Sequence, residues 1–412
     1  MSLRLLRQGL LGSRSLPRLC RAYPLKDHYD VVIIGGGAHG LACAYNLVRF
    51  HGITSVAVLE KRYIGFGGSG RNTTIIRSNY LTPEGVRFYD ESVKLYEGLS
   101  AELEMNVMFS QRGHLTLAHS DASVRTMRRR AEVNQLEGVD SRVIEPAEIA
   151  RLCPELDLSD RPRYPILAAL YHPPGGIIRH DAVVWGYAHQ ADQRGVHIHQ
   201  NTEVTGLAVE HGRVAGVHTS RGFIKTGTVL NATAGWCSTI AAMAGLRLPV
   251  TTYPLQACVS EPLKPFLDVI IVSGSLHVYV NQTDRGELVM GASVDPLASY
   301  SLNSTLPFLE DIAGHVLELF PGLAHVRILR QWAGLCDMTP DYSPIMGLTP
   351  VEGFLLDVGW GTYGFKATPI AGKTLAELIV TGRTPDLIAP FRLARFRDGE
   401  LVGEKGAASV GH

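Results

Sequence analysis

An apolar run that leads through a glycine-rich turn into a helical stretch constrains the fold of this chain more than any other feature. Residues 30–34, DVVII, have the length and composition of a buried strand. The turn GGGAHG at 35–40 follows, and an apolar helical pattern continues to Phe50. A GxGxxG turn between a strand and a helix predicts a Rossmann-type dinucleotide-binding unit.

The glycines of this turn are expected to have separate roles. Gly35 makes the tight bend, Gly37 lets a pyrophosphate approach the helix N-terminus, and Gly40 lets the helix and the strand pack closely. His39 lies in the same turn, and we expect it to contact the cofactor as well.

A second apolar strand, residues 53–59, ends in Glu60, which follows Gly40 by 20 residues. In dinucleotide-binding folds a carboxylate at this distance accepts hydrogen bonds from a ribose hydroxyl. The alternative is a surface glutamate at a strand end. The spacing favours the nucleotide role.

The stretch GFGGSGRNTTIIR, residues 65–77, joins a glycine-rich turn to an arginine. Backbone amides in such a turn can approach a phosphate. We therefore expect cofactor contacts from Ser69, Gly70, Arg71, Asn72 and Thr73. A phosphate loop does not itself need Arg77. The generic roles for this arginine are phosphate binding and a surface ion pair.

Residues 359–379, GWGTYGFKATPIAGKTLAELI, place another glycine-rich turn before a helix. We predict Thr368 as the N-cap and Pro369 as the first helical residue. The positive end of that helix would stabilise an anionic reduced flavin, which favours FAD over NAD. An ordinary capped helix does not explain Lys366. Cofactor contacts are expected from Gly361, Gly364, Lys366 and Thr368.

The segment TVLNATAGWCS, residues 228–238, predicts a strand that ends in small residues. Small residues there let a dinucleotide pass closely over the sheet, but they also suit a tightly packed strand-helix junction, and both interpretations stay open. A strand-like stretch precedes this segment, and we expect its Val204 near the cofactor.

The stretches between the cofactor segments alternate apolar and polar residues, as half-buried strands do. We predict an α/β fold in which an inserted, mostly antiparallel-sheet substrate domain interrupts a Rossmann-type FAD-binding domain. The predicted divisions are 1–27 for an N-terminal arm, 28–95, 162–245 and 330–385 for the FAD-binding domain, 96–161 and 246–329 for the substrate domain, and 386–412 for a C-terminal tail.

Charge and cysteine content exclude several kinds of partner. The 39 basic residues balance 39 acidic ones, so no basic field favours nucleic acid or an anionic membrane. The uncharged run at residues 229–246 contains too many polar groups for a lipid-spanning helix. The six cysteines show no CxxC or metal-ligand spacing, which gives no metal site and favours a reducing compartment. The ligand is therefore expected to be a small molecule.

Several segments together resemble a known family. These segments are GGGAHGL (35–41), GRNTTIIRSNY (70–80), RHDAVVWG (179–186), TPDYSPI (339–345) and GFKATP (364–369). They are similar to the β subunits of bacterial heterotetrameric sarcosine oxidases, over essentially the whole chain. The wider glycine oxidase and D-amino-acid oxidase family shares the first turn and the last, whereas RHDAVVWG is more specific to the β subunits.

The resemblance implies FAD-dependent oxidation of sarcosine to an imine, with electrons passing to FMN and then to oxygen, which gives hydrogen peroxide. It also implies a cytoplasmic complex with α, γ and δ subunits, transfer of the one-carbon unit to tetrahydrofolate, and release of glycine. Arg77 and Lys366 would hold the substrate carboxylate, a task that suits paired cations. His277 and Tyr279 are weaker candidates for the substrate pocket.

The resemblance also assigns a covalent flavin to His180, which would carry FMN through a ring nitrogen. A neutral imidazole is a competent nucleophile for such an attachment. Asp181 is predicted to cap a helix that begins at Ala182, a generic role that needs no histidine before it. Packing near a subunit contact is the alternative for His180.

The sequence departs from the related enzymes at several positions. Monomeric relatives attach FAD through a cysteine before the C-terminal turn, and Cys336 is two residues out of that register, so non-covalent FAD is expected. Val289 stands where those relatives have an oxygen-activating lysine, which favours electron transfer to a second flavin over oxygen reduction at FAD. Tyr363 stands where the similar β chains have a glycine, and it would narrow the pocket or change the amine that the site prefers. The basic residues 1–25 look like a mitochondrial presequence, but the similar β chains carry an N-terminal arm, which is favoured.

Two other functions stay open at this point. One is a β-type dehydrogenase for another secondary amino acid, such as a hydroxyproline or an opine. The other is a non-catalytic FAD-binding assembly protein, which would not need both Arg77 and Lys366.

Overall fold

A computed structural model describes residues 9–10 and 19–407, apart from the side chains of 292 and 293. Most of the predicted N-terminal arm therefore lies outside the described residues. The strands of the described part are β1 (Val31–Ile34), β2 (Val56–Leu59), β3 (Ile75–Ile76), β4 (Ser110–Gln111), β5 (His114–Ala118), β6 (Arg142–Ile144), β7 (Ala168–His172), β8 (Gly176–Ile177), β9 (His197–His199), β10 (Val204–Glu210), β11 (Arg213–Thr219), β12 (Gly222–Lys225), β13 (Val229–Asn231), β14 (Thr251–Pro262), β15 (Ile270–Ser273), β16 (Val278–Gln282), β17 (Glu287–Val294), β18 (Ile328–Met338), β19 (Ile345–Leu348) and β20 (Phe354–Val358). The helices are α1 (Ala38–Phe50), α2 (Pro83–Glu102), α3 (Asp121–Leu136), α4 (Pro146–Leu152), α5 (His180–Gln193), α6 (Cys237–Met243), α7 (Leu306–Leu319), α8 (Gly364–Thr381) and α9 (Arg395–Asp398). Among these helices, none combines the length and apolar character that a bilayer span requires.

A six-stranded sheet forms the first half of the fold. Its order is β19-β20-β13-β1-β2-β9, and every neighbouring pair is parallel except β19 with β20. The residues of β1, β2 and β20 are all buried, as expected for parallel strands covered on both faces. Helices α1, α2, α5 and α8 contribute to the core on one face, and the small sheet β10-β11-β12 with α6 contributes to the core on the other. This arrangement confirms the predicted dinucleotide-binding half.

An eight-stranded sheet forms the second half. Its order is β18-β14-β17-β16-β15-β5-β7-β6, and all neighbours are antiparallel except β15 with β5. One core cluster joins it to α4 and α7. The predicted α/β class with a mostly antiparallel second sheet is therefore confirmed.

The strand β7 lies in this second sheet, although the predicted division placed residues 162–245 in the FAD-binding domain. Its sequence AALYH is a short apolar run that suits either sheet. Its position is fixed by pairing with β5 and β6, which come earlier in the chain. The strand β18 likewise spans the predicted boundary at 330, because all but its first residues pair continuously with β14.

Helix α8 begins at Gly364, so the prediction of Thr368 as its N-cap was wrong. Thr368 and Pro369 lie inside the helix, which already has one turn before them. Proline has no N–H for the carbonyl four residues earlier, that of Phe365. The Tyr96 hydroxyl of α2 donates to that carbonyl instead. Because Tyr96 supplies this hydrogen bond, the helix accommodates Pro369 in its interior. In the sequence alone, such a proline cannot be distinguished from one at the start of a helix.

The helices α1 and α8 are in close contact through a glycine. A Cβ added at Gly372 would lie 2.6 Å from the Ala42 Cβ and 2.9 Å from the Cys43 backbone nitrogen. Both distances are below normal van der Waals contact, so a side chain there would push the helices apart. This contact matters for the site, because the N-termini of both helices face the same cavity.

We expect Gly372→Ala to lower the free energy of unfolding by about 1–3 kcal/mol, because the added methyl overpacks the α1–α8 contact. Gly98→Ala is the matched control, since Gly98 lies in α2 with no atom within 4 Å of an added Cβ. The control should be neutral or stabilising by up to about 1 kcal/mol. Denaturant unfolding of the two variants measures both, and equal effects would contradict the packing argument.

Candidate active site

A cavity of about 440 Å³ is lined by residues of both sheets. The six-stranded sheet contributes the turn after β1 and the end of β2, and the eight-stranded sheet contributes Leu255, Ala257, Tyr279 and Gly334. The glycine-rich stretch before β3 and the turn before α8 complete the lining. Three sequence segments predicted to hold a dinucleotide, 35–40, 65–77 and 359–379, therefore meet at one site.

The turn after β1 has the geometry that an anion-binding turn requires. Gly35 has φ +116°, and a Cβ there would lie 2.4 Å from the Ala232 carbonyl oxygen. A Cβ at Gly40 would lie 2.1 Å from the Gly35 carbonyl oxygen, so Gly40 serves helix packing and does not line the cavity. Gly37 is the N-cap of α1 and has no side chain to accept a hydrogen bond. The Ala38 nitrogen donates to the Ser69 hydroxyl at 2.9 Å, and among the described residues this is the one side-chain acceptor for the first turn of α1. The α1 N-terminus is thus open to an anionic group at the cavity.

Glu60 lies at the end of β2, where the spacing placed it. Its carboxylate accepts hydrogen bonds from the Gly36 nitrogen at 2.9 Å and the Arg62 nitrogen at 2.8 Å. Burial raises the pKa of this carboxyl above its usual value, although the two bonds act in the opposite direction. The side chain is fixed at the edge of the cavity, and its contact with a ribose stays a prediction.

Most of the residues predicted to contact the cofactor line this cavity. They are Gly35, Gly37, His39, Glu60, Ser69, Arg71, Asn72, Thr73, Val204, Gly361, Gly364 and Lys366. Gly70 and Thr368 do not line it. An added Cβ at Gly70 would lie 2.4 Å from the Gly65 carbonyl oxygen, so this glycine closes its own turn, and Thr368 is too far along α8.

His39 links the N-termini of α1 and α8. Its Nδ1 lies 3.1 Å from the Asp357 carboxylate, and its Nε2 lies 2.8 Å from the Gly364 carbonyl oxygen. Burial alone would lower the pKa of this imidazole, but Asp357 and the Gly364 carbonyl outweigh burial and raise it. His39 therefore holds the two helix ends together in addition to lining the site.

Sequence reasoning missed two buried acids beside the cavity, Asp337 and Asp357. Asp337 accepts a hydrogen bond from the Gly359 nitrogen at 2.6 Å, and burial raises its pKa to about 6. Asp357 also accepts from the indole nitrogen of Trp360 at 2.8 Å. Each acid follows an apolar run near the C-terminal end of its strand, β18 or β20, and this pattern is the signal that would have revealed them.

The other part of the cavity is positively charged. Arg77 is 4% exposed and Lys366 is 8% exposed, and both line the cavity. The Lys366 Nζ donates to the Thr362 carbonyl at 3.1 Å. Neither side chain forms an ion pair with a carboxylate in the part of the chain that the structure describes. Burial and the Arg77 charge hold the pKa of Lys366 well below its usual value, so this region favours an anionic ligand.

Tyr279 lines the cavity and His277 does not. An added Cβ at Gly291 would lie 1.7 Å from the Tyr279 hydroxyl oxygen, so this glycine provides the space for the ring. His277 has φ +48° and lies in the turn before β16, outside the strand alternation that directs Tyr279. His277 therefore lies outside the lining of this cavity. His114 lines the cavity instead, and burial lowers the pKa of its imidazole well below the usual value, so it is neutral.

Three positions where the sequence departs from the related enzymes have different locations. Tyr363 is buried beside the cavity, and its hydroxyl donates to the Glu404 carbonyl at 2.9 Å. Cys336 lines the cavity, where burial raises the pKa of its thiol and keeps it protonated. Val289 is not among the lining residues. Whether FAD is attached to the chain stays a prediction.

His180 is the first residue of α5 and does not line the cavity. Burial lowers the pKa of its imidazole, which favours the neutral form. The predicted helix start at Ala182 was wrong, because the helix begins at His180 and its N-cap is Arg179. The Asp181 carboxylate accepts a hydrogen bond from the Ala182 nitrogen at 2.9 Å, as a residue of the first turn, and forms an ion pair with Arg179 at 2.8 Å. A cap cannot be distinguished from a first-turn acid until the helix start is known.

Comparison with known proteins agrees with this geometry. Residues 30–378 match the family model described as FAD dependent oxidoreductase. The sarcosine oxidase subunit beta of Rhizobium meliloti is 49% identical over 98% of this chain and 97% of its own length. The corresponding subunit of Rhodobacter capsulatus is 48% identical over 94% of this chain and 93% of its length.

Among solved structures, L-proline dehydrogenase from P. horikoshii superimposes with a TM-score of 0.86 at 32% identity, covering 92% of this chain and all of that one. The glycine turn, the half-buried Glu60 and the α1 N-terminus fit a dinucleotide, in agreement with the family model. The chain belongs to the FAD dependent oxidoreductase family and, within it, to the sarcosine oxidase β subunits.

Proposed function

We propose that this chain is the FAD-dependent catalytic subunit that oxidises sarcosine to an imine within a multisubunit sarcosine oxidase. The single observation that carries the proposal is the pair of buried cations, Arg77 and Lys366, in the same cavity as the dinucleotide turn. A protein that only bound FAD would not need these two buried positive charges. The names of the two β-subunit relatives support sarcosine as the substrate.

The two cations would orient the substrate by its carboxylate. The planar guanidinium of Arg77 offers paired N–H donors, and Lys366 adds a compact charge from a different direction. Bound FAD supplies the acceptor for the hydride that leaves the N-methyl carbon. Holding the carboxylate fixes the reacting carbon at the other end of a small molecule, and such orientation contributes a large part of the rate. The same positive charges disfavour a protonated amine, which must lose its proton before the C–H bond can break.

The resemblance to β subunits supports a second flavin, FMN, attached to His180. The imidazole is neutral and lies at the start of α5, away from the cavity, so a flavin attached there would be separate from the FAD. Oxygen reduction to peroxide, and transfer of the one-carbon unit to tetrahydrofolate, would then involve partner α, γ and δ subunits in the cytoplasm. The word "subunit" in the names of the relatives supports the existence of partners.

A second candidate substrate class is favoured by one observation. The superimposed L-proline dehydrogenase acts, by its name, on a cyclic secondary amino acid that also carries a carboxylate. Arg77 and Lys366, which would hold the carboxylate of either molecule, do not by themselves distinguish the two substrates. Anaerobic flavin reduction by sarcosine, proline and hydroxyproline, compared at equal concentrations, distinguishes them.

We expect Lys366→Met to keep FAD and to lose about 2–4 kcal/mol of transition-state stabilisation, measured as kcat/KM for FAD reduction by sarcosine. Arg77→Met should show a loss of similar size. Lys373→Met is the matched control, because Lys373 lies on the exposed side of the same helix. Near-normal reduction rates in both cavity variants would contradict the proposal that Arg77 and Lys366 hold the substrate carboxylate.

Carboxylate binding should depend on pH through Lys366. Its pKa is lowered in the ligand-free protein, and a bound carboxylate favours the charged form, so binding takes up a proton above the lowered pKa. Acetate affinity should therefore fall by up to about tenfold per pH unit as pH rises from the lowered pKa of Lys366 towards the ordinary pKa of lysine, about 10. Titrations that follow the flavin absorbance measure it. The slope should be much smaller in Lys366→Met, which lacks the group that takes up the proton.

The flavin on His180 can be tested by mass spectrometry of the denatured chain. The wild-type chain should retain one FMN mass while its FAD is released, and His180→Ala should lose that mass yet still have its FAD reduced by sarcosine. His189→Ala is the control on the same helix. A wild-type chain without covalent flavin would make the protein a single-flavin amine dehydrogenase.

A further inference from the structure

A second buried arginine lies next to Arg77 without lining the cavity. Arg130 lies on α3, where it is 4% exposed, whereas the neighbouring Arg128 and Arg129 are exposed. Burying an arginine is costly unless its donors are satisfied. The location of its partners indicates its role.

The two guanidinium groups share the same acceptors. The Asn79 carbonyl oxygen accepts from Arg130 Nε at 2.7 Å and from Arg77 Nη1 at 3.1 Å. The Ala407 carbonyl oxygen accepts from Arg77 Nη2 at 2.6 Å and from Arg130 Nη2 at 3.3 Å. Two like charges therefore lie together in the interior, and each limits the positions open to the other.

Arg130 also affects which donors of Arg77 remain available. The Arg77 side chain donates to the Asn79 carbonyl, the Asn79 amide oxygen at 2.8 Å and the Ala407 carbonyl. These bonds use at most three of its five N–H groups. The Nε–H and one Nη2–H have no acceptor among the residues that the structure describes, and two such donors match a carboxylate.

The positive charge of this region is hardly compensated. Glu404 is the carboxylate that acts on Arg130 electrostatically, but its oxygens accept hydrogen bonds from the Leu81 and Thr82 nitrogens, each at 2.9 Å. Burial and the Arg77 charge lower the pKa of Arg130 to about 9, which still leaves it charged at neutral pH. The pair Arg77 and Arg130, with Lys366 nearby, leaves an excess of positive charge for a ligand to neutralise.

We propose that Arg130 is a positioning residue for substrate binding: it fixes Arg77 through the shared Asn79 and Ala407 carbonyls and adds its own charge to the attraction for a carboxylate. This inference rests on the proposed role of Arg77 in holding the substrate carboxylate. Arg130 itself does not touch the ligand, since it does not line the cavity.

The test uses the FAD-loaded protein with its partner subunits and two probes of nearly equal shape, acetate and acetamide, titrated by the flavin absorbance. In Arg130→Met the affinity for acetate should fall about tenfold, because Arg77 loses its fixed orientation and the ligand loses a nearby charge. The affinity for uncharged acetamide should not change. Arg129→Met, on the exposed face of the same helix, should match the wild type with both probes.

Other outcomes separate this inference from the proposed function. Wild-type acetate affinity in Arg130→Met, together with a loss in Arg77→Met, overturns the role of Arg130 alone. Unchanged acetate affinity in Arg77→Met overturns the proposed role of Arg77 in holding the substrate carboxylate. Equal losses for acetate and acetamide indicate general disruption and also overturn the positioning role.

If Arg130→Met does not retain FAD, Arg130→Lys decides. A lysine keeps the charge but cannot donate to both shared carbonyls as a guanidinium does. Acetate affinity in this variant should fall several-fold with FAD still bound, and wild-type affinity would overturn the proposal.

Discussion

The close contact of α1 with α8 is the constraint on which the site depends. The glycine at 372 lets the two helices approach, and His39 joins their N-termini through Asp357 and the Gly364 carbonyl. Two helix N-termini consequently face one cavity, and each brings unsatisfied N–H groups and a partial positive charge. The dinucleotide turn and the Lys366 turn are about 320 residues apart in sequence, and this contact is what brings them together.

The proline in α8 shows how the neighbouring helix α2 supports this arrangement. Without an N–H on Pro369, the first turn of α8 would have an unsatisfied carbonyl in the interior. Tyr96 and Ser92 donate to the Phe365 and Lys366 carbonyls, so the turn that carries Lys366 is held by side chains of α2. The position of this lysine is therefore determined by tertiary contacts as much as by the helix it belongs to.

Much of the fold and part of the site could be predicted from sequence, for a physical reason. The turn at 35–40 and the spacing to Glu60 are local, because a strand, a turn and a helix of fixed geometry determine them. The start of α8 could not be predicted, because it depends on donors from another helix, and β7 could not be assigned, because its sheet is chosen by pairing with distant strands. His277 lies outside the lining of the cavity because a backbone with positive φ at this residue interrupts the strand alternation. The burial of Arg130 could not be predicted, because the run of three arginines at 128–130 does not indicate which of them is buried.

The cations around the cavity differ in depth, and this difference separates the cofactor region from the substrate region. Arg62 and Arg71 lie over the Phe66 ring at 5.0 and 4.4 Å, and both retain contact with solvent. Solvated cations of this kind cost little and add little to the binding of a large cofactor, which already has two helix N-termini and many backbone groups. Arg77 and Lys366 are buried, so their charge is weakly screened and costs free energy while the cavity lacks an anion. A small carboxylate has few contacts to offer, and it relieves that cost when it binds, so most of its affinity can come from charge alone.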